Sequence, residues 1–384
     1  MKLKKNNFLP SQYNKDSKLK INHNYLYDQF KNNKKIFSDI KKLVAKGDYT
    51  LGQSVNDFEK KLKKITKTKY VVSVGSGTDA IILSLKSLGI EPGDEVITTP
   101  YTFYATIGEI VSLGAKPVFV DINYDYNIDV KKIEEKINKK TKAIVPVHWS
   151  GLICDMKAIS KIAKKNKIAI VEDACHAINS ERDGKRAGFF GHTACFSLHP
   201  LKNINVWGDG GFIGTNYKKV YEKLILLRNH GLIDRDICKI FAGNSRLDTI
   251  QAIVGINLLK KITYITDKRI KNSNLYDKGL SNIPELTIPK RDNKIKQVYH
   301  IYVIRAQKRN KLKEYLNLNG IDAKIHYPTP MHLQPAAKFL NNKKGDFPIT
   351  EKICDSVISL PVHEFITKKQ INFVIQKIRN FYQK

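Results

Sequence analysis

Lys202 lies in CFSLHPLKNINVWGDGGFIGT, between a short apolar, hydroxyl-bearing run and a glycine-rich turn that leads into another apolar run. Ser197 stands five residues before it and Gly208-Asp209-Gly210-Gly211 six to nine after it. An amine on such a turn is aimed into a pocket, where desolvation and nearby cations lower its pKa and free it to form a Schiff base. Taken alone, Lys202 is one lysine in a lysine-rich chain, and a solvated surface role stands beside the chemical one. Its neighbours separate the two readings.

Upstream, KIAIVEDACHAINS holds an apolar run from Ile168 to Val171 that reads as a buried strand ending in Glu172-Asp173. A carboxylate at the carboxyl end of a strand in an open parallel sheet stands where ligands bind, and it can face a ring nitrogen that must stay protonated. Pyridoxal phosphate needs both an amine for its aldehyde and an acidic partner for its pyridinium. The residues alone leave Asp173 open as the cap of a following helix. Further upstream, KYVVSVGSGTDAIILSLKSLGI reads as strand, small-residue turn and amphipathic helix, so Gly75-Ser76-Gly77-Thr78 lies at a helix N-terminus suited to a phosphate. Ser197 offers that anion a second hydroxyl. The turn has neither the dinucleotide fingerprint nor the Walker spacing, which argues against a Rossmann dehydrogenase or a P-loop NTPase. Between these regions, Tyr101, Phe103 and Tyr104 offer a ring to stack on a flat cofactor, with core packing as the alternative for each.

The segments GSGTDA, TPYTFYAT, PVH, EDACHA, FSLHPLKN, GDGG, NSRLDTIQA and HYPTPMHLQ follow in an order and spacing that resembles the DegT/DnrJ/EryC1/StrS family of pyridoxal-phosphate-dependent sugar aminotransferases, from about residue 30 to the C-terminus. The resemblance implies an α/β, fold type I aminotransferase-like chain, with a large domain built on a mostly parallel sheet and a smaller C-terminal α+β domain. It implies a homodimer with shared active sites that moves an amino group from glutamate to a nucleotide-linked keto sugar, giving an amino sugar for surface polysaccharide or glycoside biosynthesis. By the same resemblance, Lys202 is the Schiff-base lysine, moving the proton in both half-reactions, and Asp173 is the ring-nitrogen partner. Phe103 is the stacking aromatic, and Gly77, Thr78 and Ser197 hold the phosphate. His176 falls near the phenolic oxygen, where the family more often has Gln, and Asn244 reaches the phosphate of the neighbouring subunit. His326 and Tyr327 fall near the sugar, with packing at a strand end as the alternative. The loop Tyr49 to Gly52 borders the site. Relatives with histidine at the lysine position act as dehydratases, and a catalytically silent regulatory role is the other alternative. Lys202 is retained here, which favours transamination.

Composition supports an enzyme with a substantial core: 384 residues, 42% of them hydrophobic. No apolar run is long enough to span a membrane and the N-terminus has no apolar signal region, so a cytoplasmic protein is expected. Cys154, Cys175, Cys195, Cys238 and Cys354 show no metal or disulfide spacing, and neither do His148, His199 and His230 pair as metal ligands. The 67 Lys and Arg against 36 Asp and Glu give a formal charge of +31. These cations are spread along the chain with no nucleic-acid motif, so they read as a compositional bias and not as a nucleic-acid surface, although a sugar nucleotide is an anion too.

For organisation, the sequence suggests an N-terminal extension over 1–30, partly disordered, a cofactor-binding domain over 31–265 and a small domain over 266–384. A helix stopped near Gly47 and a second capped by Ser54 precede the α/β core. In the small domain QVYHIYVIRA reads as an exposed-face strand, RNKLKEYLNLNG as a helix ended by Gly320, and IDAKIHYP as a short strand.

Overall fold

The computed structural model describes residues 19–383. The apolar runs of the first half assemble into one seven-stranded sheet, in the order Tyr70–Val74, Gly211–Thr215, Thr193–Ser197, Ala169–Asp173, Thr141–Ile144, Glu95–Thr98, Lys116–Phe119. Only Gly211–Thr215 runs antiparallel to its neighbours. Runs such as Val-Val-Ser-Val and Ala-Ile-Val are apolar on both faces because helices cover both faces of the sheet.

The polarity of the strands decides where function can sit. Val74 and Ser197 both pair with Gly211, and Asp173 pairs with Cys195. The carboxyl ends of four strands therefore bring the Gly75 turn, Asp173, the loop after Ser197 and the loop after Thr98 to one edge. That edge is where open parallel sheets bind ligands.

Helix Lys34–Lys46 stops at Gly47, whose φ of 66° is left-handed, as expected of a glycine there. Helix Gln53–Thr66 begins one residue past Gly52, so Ser54 lies inside the first turn. Ser54 is not the cap that was expected: the Asp48 carboxylate accepts the Gln53 N–H at 2.8 Å instead.

The C-terminal part is a three-stranded antiparallel sheet, ordered Leu286–Thr287, Tyr302–Ala306, Val357–Leu360, packed on helices Arg309–Leu318 and Lys368–Tyr382. The expected alternation of Tyr302–Ala306 is real, but its second face does not meet water. Tyr302, Ile304 and Ala306 enter the small-domain core, while Ile301 and Val303 pack with Tyr101 and Trp149 of the large domain. The segment expected as a short strand at 321–328 forms only isolated bridges, Ile21 to Ile321 and Lys324 to Ser359. Helix Ile262–Leu280 carries the chain across, with Ile265 in the large core and Tyr276 and Leu280 in the small one. The expected 265/266 boundary falls inside that helix.

The expected disorder of 1–30 is corrected where the chain is described; residues 1–18 lie outside the described residues. Ile21 and Tyr25 are buried, and residues Leu26–Phe30 form a helical turn. A Lys- and Asn-rich composition hid two apolar anchors and the bridge between Ile21 and Ile321.

Candidate active site

Asp173 is buried at the sheet edge. No helix follows it, which removes the capping alternative: residues 174–180 are turns. Its Oδ2 accepts from Thr106 Oγ1 at 2.8 Å, and its Oδ1 accepts from the Cys175 N–H at 3.2 Å. Thr106 is itself paired with Thr102 at 2.8 Å. The strand end beneath is locked by Glu172, whose carboxylate accepts the backbone N–H groups of Gly188, Phe190 and Gly191 at 2.9, 2.9 and 2.6 Å. It also pairs with His148 at 2.9 Å. A carboxylate with so many donors does not rotate, and the next residue inherits that rigidity.

Lys202 lies on the loop between Thr193–Ser197 and Gly211–Thr215, its backbone N–H donating to His199 O at 2.8 Å. Burial lowers the pKa of its amine, against opposing contributions from Cys175 and Asp173. More neutral amine is thereby present near neutral pH. The Lys202 carbonyl accepts two side-chain bonds, from Tyr25 Oη at 3.0 Å and from Asn205 Nδ2 at 3.0 Å. Asn205 Nδ2 in turn donates to Gln29 Oε1 at 2.8 Å. The sequence reading missed Tyr25 and Asn205. Nothing local marks Tyr25, which reaches the lysine across 177 positions.

Helix Gly77–Ser87 begins at the same edge, with Ser76 as its cap. A side chain at Gly77 would place its Cβ 2.7 Å from Ser197 Cβ, and one at Gly211 would stand 2.2 Å from Ser76 O. Glycine is therefore required at both places to let the helix terminus close on Ser197. The structure thus brings Gly77, Thr78 and Ser197 together at the helix N-terminus.

Phe103 is the residue before helix Tyr104–Ser112 and is 50% exposed, with its ring centroid 6.1 Å from that of Tyr327. Of the three aromatics considered, Tyr101 is the core residue: it is buried and donates to His326 O at 2.5 Å. With Met331 N–H donating to Pro100 O at 2.8 Å, this bond carries His326 and Tyr327 of the small domain to the sheet edge. Burial raises the Tyr327 phenol, and Asp173 adds to the effect.

His176 stacks on His300 at 4.3 Å between centroids, and the Nδ1 of each ring is buried without a hydrogen-bond partner. Burial first, then Lys202 and His326, hold His176 well below the usual histidine range, so it is neutral. His300 was not foreseen. Asn244 stands apart from this group: it is exposed, and its Oδ1 accepts the Arg246 N–H at 3.2 Å in its own chain. Its loop nevertheless passes beside the phosphate turn, with Gly75 N–H donating to Ser245 O at 2.9 Å.

These residues fit pyridoxal phosphate. Lys202 suits the aldehyde, Asp173 the ring nitrogen, and the glycine-tight helix terminus with Ser197 and Thr78 the phosphate. The half-exposed face of Phe103 suits the ring, and the unpartnered His176 Nδ1 the phenolic oxygen. Among the described residues there is no group of three His, Cys, Asp or Glu side chains placed to hold a metal ion, and no helix is long and apolar enough to cross a membrane.

Sheet, edge and constellation together define an aminotransferase of fold type I. The chain belongs to the DegT/DnrJ/EryC1/StrS aminotransferase family, whose sequence model matches residues 31–379. It is 37% identical over 360 residues to a pleiotropic regulatory protein of Geobacillus stearothermophilus, covering 93% of this chain and 96% of that one. It is also 37% identical over 353 residues to dTDP-3-amino-3,6-dideoxy-alpha-D-galactopyranose transaminase of Aneurinibacillus thermoaerophilus, covering 91% and 95%. Among solved structures, DesV of S. venezuelae in complex with a ketimine intermediate matches with a TM-score of 0.91 at 32% identity, over 95% of this chain and 98% of that one.

Proposed function

We propose that this enzyme transfers an amino group from glutamate to a nucleotide-linked keto sugar, with pyridoxal 5'-phosphate as cofactor. The observation that carries the reading is the convergence of Lys202, Asp173 and the Gly77–Ser197 contact on one sheet edge. The sugar transaminase of A. thermoaerophilus supplies the substrate class.

When bound, the cofactor supplies an electron sink that makes a substrate C–H bond acidic. The protein does the rest. Asp173, fixed by Thr106 and Cys175, keeps the ring nitrogen protonated. The lowered proton affinity of the Lys202 amine suits it to take a proton from the donor's α-carbon and return one to the sugar carbon. With the cofactor bound, Phe103 would stack on its ring, and Gly77, Thr78 and Ser197 would hold its phosphate. His326 and Tyr327, drawn in by Tyr101 and Pro100, face the sugar.

The reading includes a homodimer in which Asn244 completes the partner's phosphate site. Supporting it are the exposure of Asn244 and the uncovered apolar residues of its loop, Ile233, Ile237 and the fully exposed Phe241. It also includes a cytoplasmic setting, expected because no apolar run is long enough to span a membrane, and an amino-sugar product destined for polysaccharide or glycoside, implied by the family resemblance. The name of the G. stearothermophilus relative raises a regulatory alternative, but a silent protein has no use for a desolvated lysine beside a fixed carboxylate. The test is a panel of nucleotide-linked keto sugars incubated with glutamate and read by mass spectrometry. An aminated product is expected with the wild type and not with Lys202→Ala; no amination of any sugar would overturn the reading.

A further inference from the structure

We propose that a small cavity behind Lys202 is a subsite for a substrate carboxylate, an assignment that rests on the transaminase reading above. The cavity measures about 90 Å³. It is bordered by Leu201, the neighbour of the catalytic lysine, and by His23, His300, His326, His363, Arg269 and Lys324. Pockets that hold drug-sized ligands run to roughly 300–1,000 Å³. This one takes a small charged group on a short stem and excludes a nucleotide sugar.

The charge of the lining is one-sided. No carboxylate borders the cavity. The two acids nearest its cations bind them from outside the lining: Glu364 Oε2 lies 3.3 Å from Arg269 Nη2, and Asp322 Oδ2 lies 3.5 Å from Lys324 Nζ. Asp322 is further engaged by the His23 N–H at 3.0 Å.

The rings are held in place by the protein. His23 Nε2 meets Ser359 O at 3.2 Å, His363 Nε2 meets Asn22 O at 3.0 Å, and His326 Nδ1 meets Ser359 Oγ at 2.9 Å. His300 keeps a buried Nδ1 without a hydrogen-bond partner. Burial, with Lys324, Arg269, Lys202 and the other histidines adding to it, pushes His23, His326 and His363 down to about 3. Burial is the leading cause for each ring, and the neighbouring cations add to it. An anion in the cavity would meet the two cations of its lining, Lys324 and Arg269, as charge-assisted donors.

The position links the cavity to the chemistry. Tyr25, in its wall, is bonded to the Lys202 carbonyl, and His300 and His326 both feel the Lys202 charge. On this proposal, a substrate reacting at Lys202 extends a carboxylate into this neighbouring cavity. Two substrates could carry one, the dicarboxylic amino donor or a uronic-acid sugar.

The experiment is isothermal titration of the cofactor-loaded wild-type enzyme with glutarate, glucuronate and the uncharged glutaramide. One of the two acids is expected to bind and the diamide not. Glutarate would assign the subsite to the donor and glucuronate to the sugar. Lys324→Met should weaken that acid at least about tenfold, the loss of one charged hydrogen bond, and Lys324→Arg should restore most of it. If neither acid binds the wild type, or the diamide binds as well as an acid, the proposal falls without reference to any variant. Equal affinity in a folded Lys324→Met enzyme would also overturn it. Binding is read without turnover. Loss of the subsite with amination intact removes this inference alone, whereas failed amination of every sugar removes the functional reading.

Discussion

Replacing Asp173 by Asn separates holding the cofactor from activating it. The amide has the same shape, so the cavity is preserved, but it cannot accept from both Thr106 Oγ1 and the Cys175 N–H as the carboxylate does at 2.8 and 3.2 Å. Thr106 can turn its hydroxyl, since Thr102 lies 2.8 Å away as an alternative partner, and the net cost to folding is about 1–2 kcal/mol. The melting temperature should drop by roughly 1–3 °C. The effect on chemistry is larger. A neutral amide leaves the ring nitrogen without the charge that keeps it protonated, and removing one fixed electrostatic partner from a developing charge costs about 10²–10³-fold in rate. The assay is a single-turnover reaction of loaded enzyme with glutamate, followed by absorbance, together with the cofactor content of the purified variant. We expect cofactor content near that of the wild type and a rate two to three orders of magnitude lower. A rate within about threefold of wild type, at equal cofactor content, would show that Asp173 only ties off the strand; the predicted loss is far larger than that.

Gly77→Ala should lower cofactor retention and cost about 1–3 kcal/mol, because its Cβ would stand 2.7 Å from Ser197 Cβ; retention and melting like the wild type would refute the close-approach argument. Tyr25→Phe removes the 3.0 Å bond to the Lys202 carbonyl and should cost about 1 kcal/mol of stability while enlarging the α-deuterium effect on the glutamate half-reaction. If the isotope effect does not change, Tyr25 is merely structural. Mixing Lys202→Ala with Asn244→Ala chains should regain activity by assembling one complete site per heterodimer. With subunit exchange demonstrated and each variant impaired alone, no gain on mixing would exclude a shared site.

The candidate site was legible as a group of residues because they sit at strand ends and turns whose local patterns are strong. Asp173 and Ser197 close strands, Gly77 opens a helix and Lys202 lies on the loop after Ser197, all at one sheet edge. What stayed hidden comes from pairing across long separations. Tyr25 and Lys202 are 177 residues apart, and His176 meets His300 only because the small domain folds back onto the large one. Neither residue has a periodic or turn signature. The strand Tyr302–Ala306 was misread for a related reason: alternation reveals two faces but not whether the second meets water or another core. Ser54 illustrates competition, since Asp48 reached the helix terminus from outside the expected window.

Helix Ile262–Leu280 is rooted in both cores, and Ile295–Lys296 pairs back onto Glu181–Arg182 of the large domain. Cutting the chain between the domains would strand half a helix on either fragment, each with an apolar face stripped of its counterpart. Neither half is therefore a portable module. A swing of one domain against the other must bend a continuous rod. The two cores should lose structure together on heating, each being tied to the other through that helix.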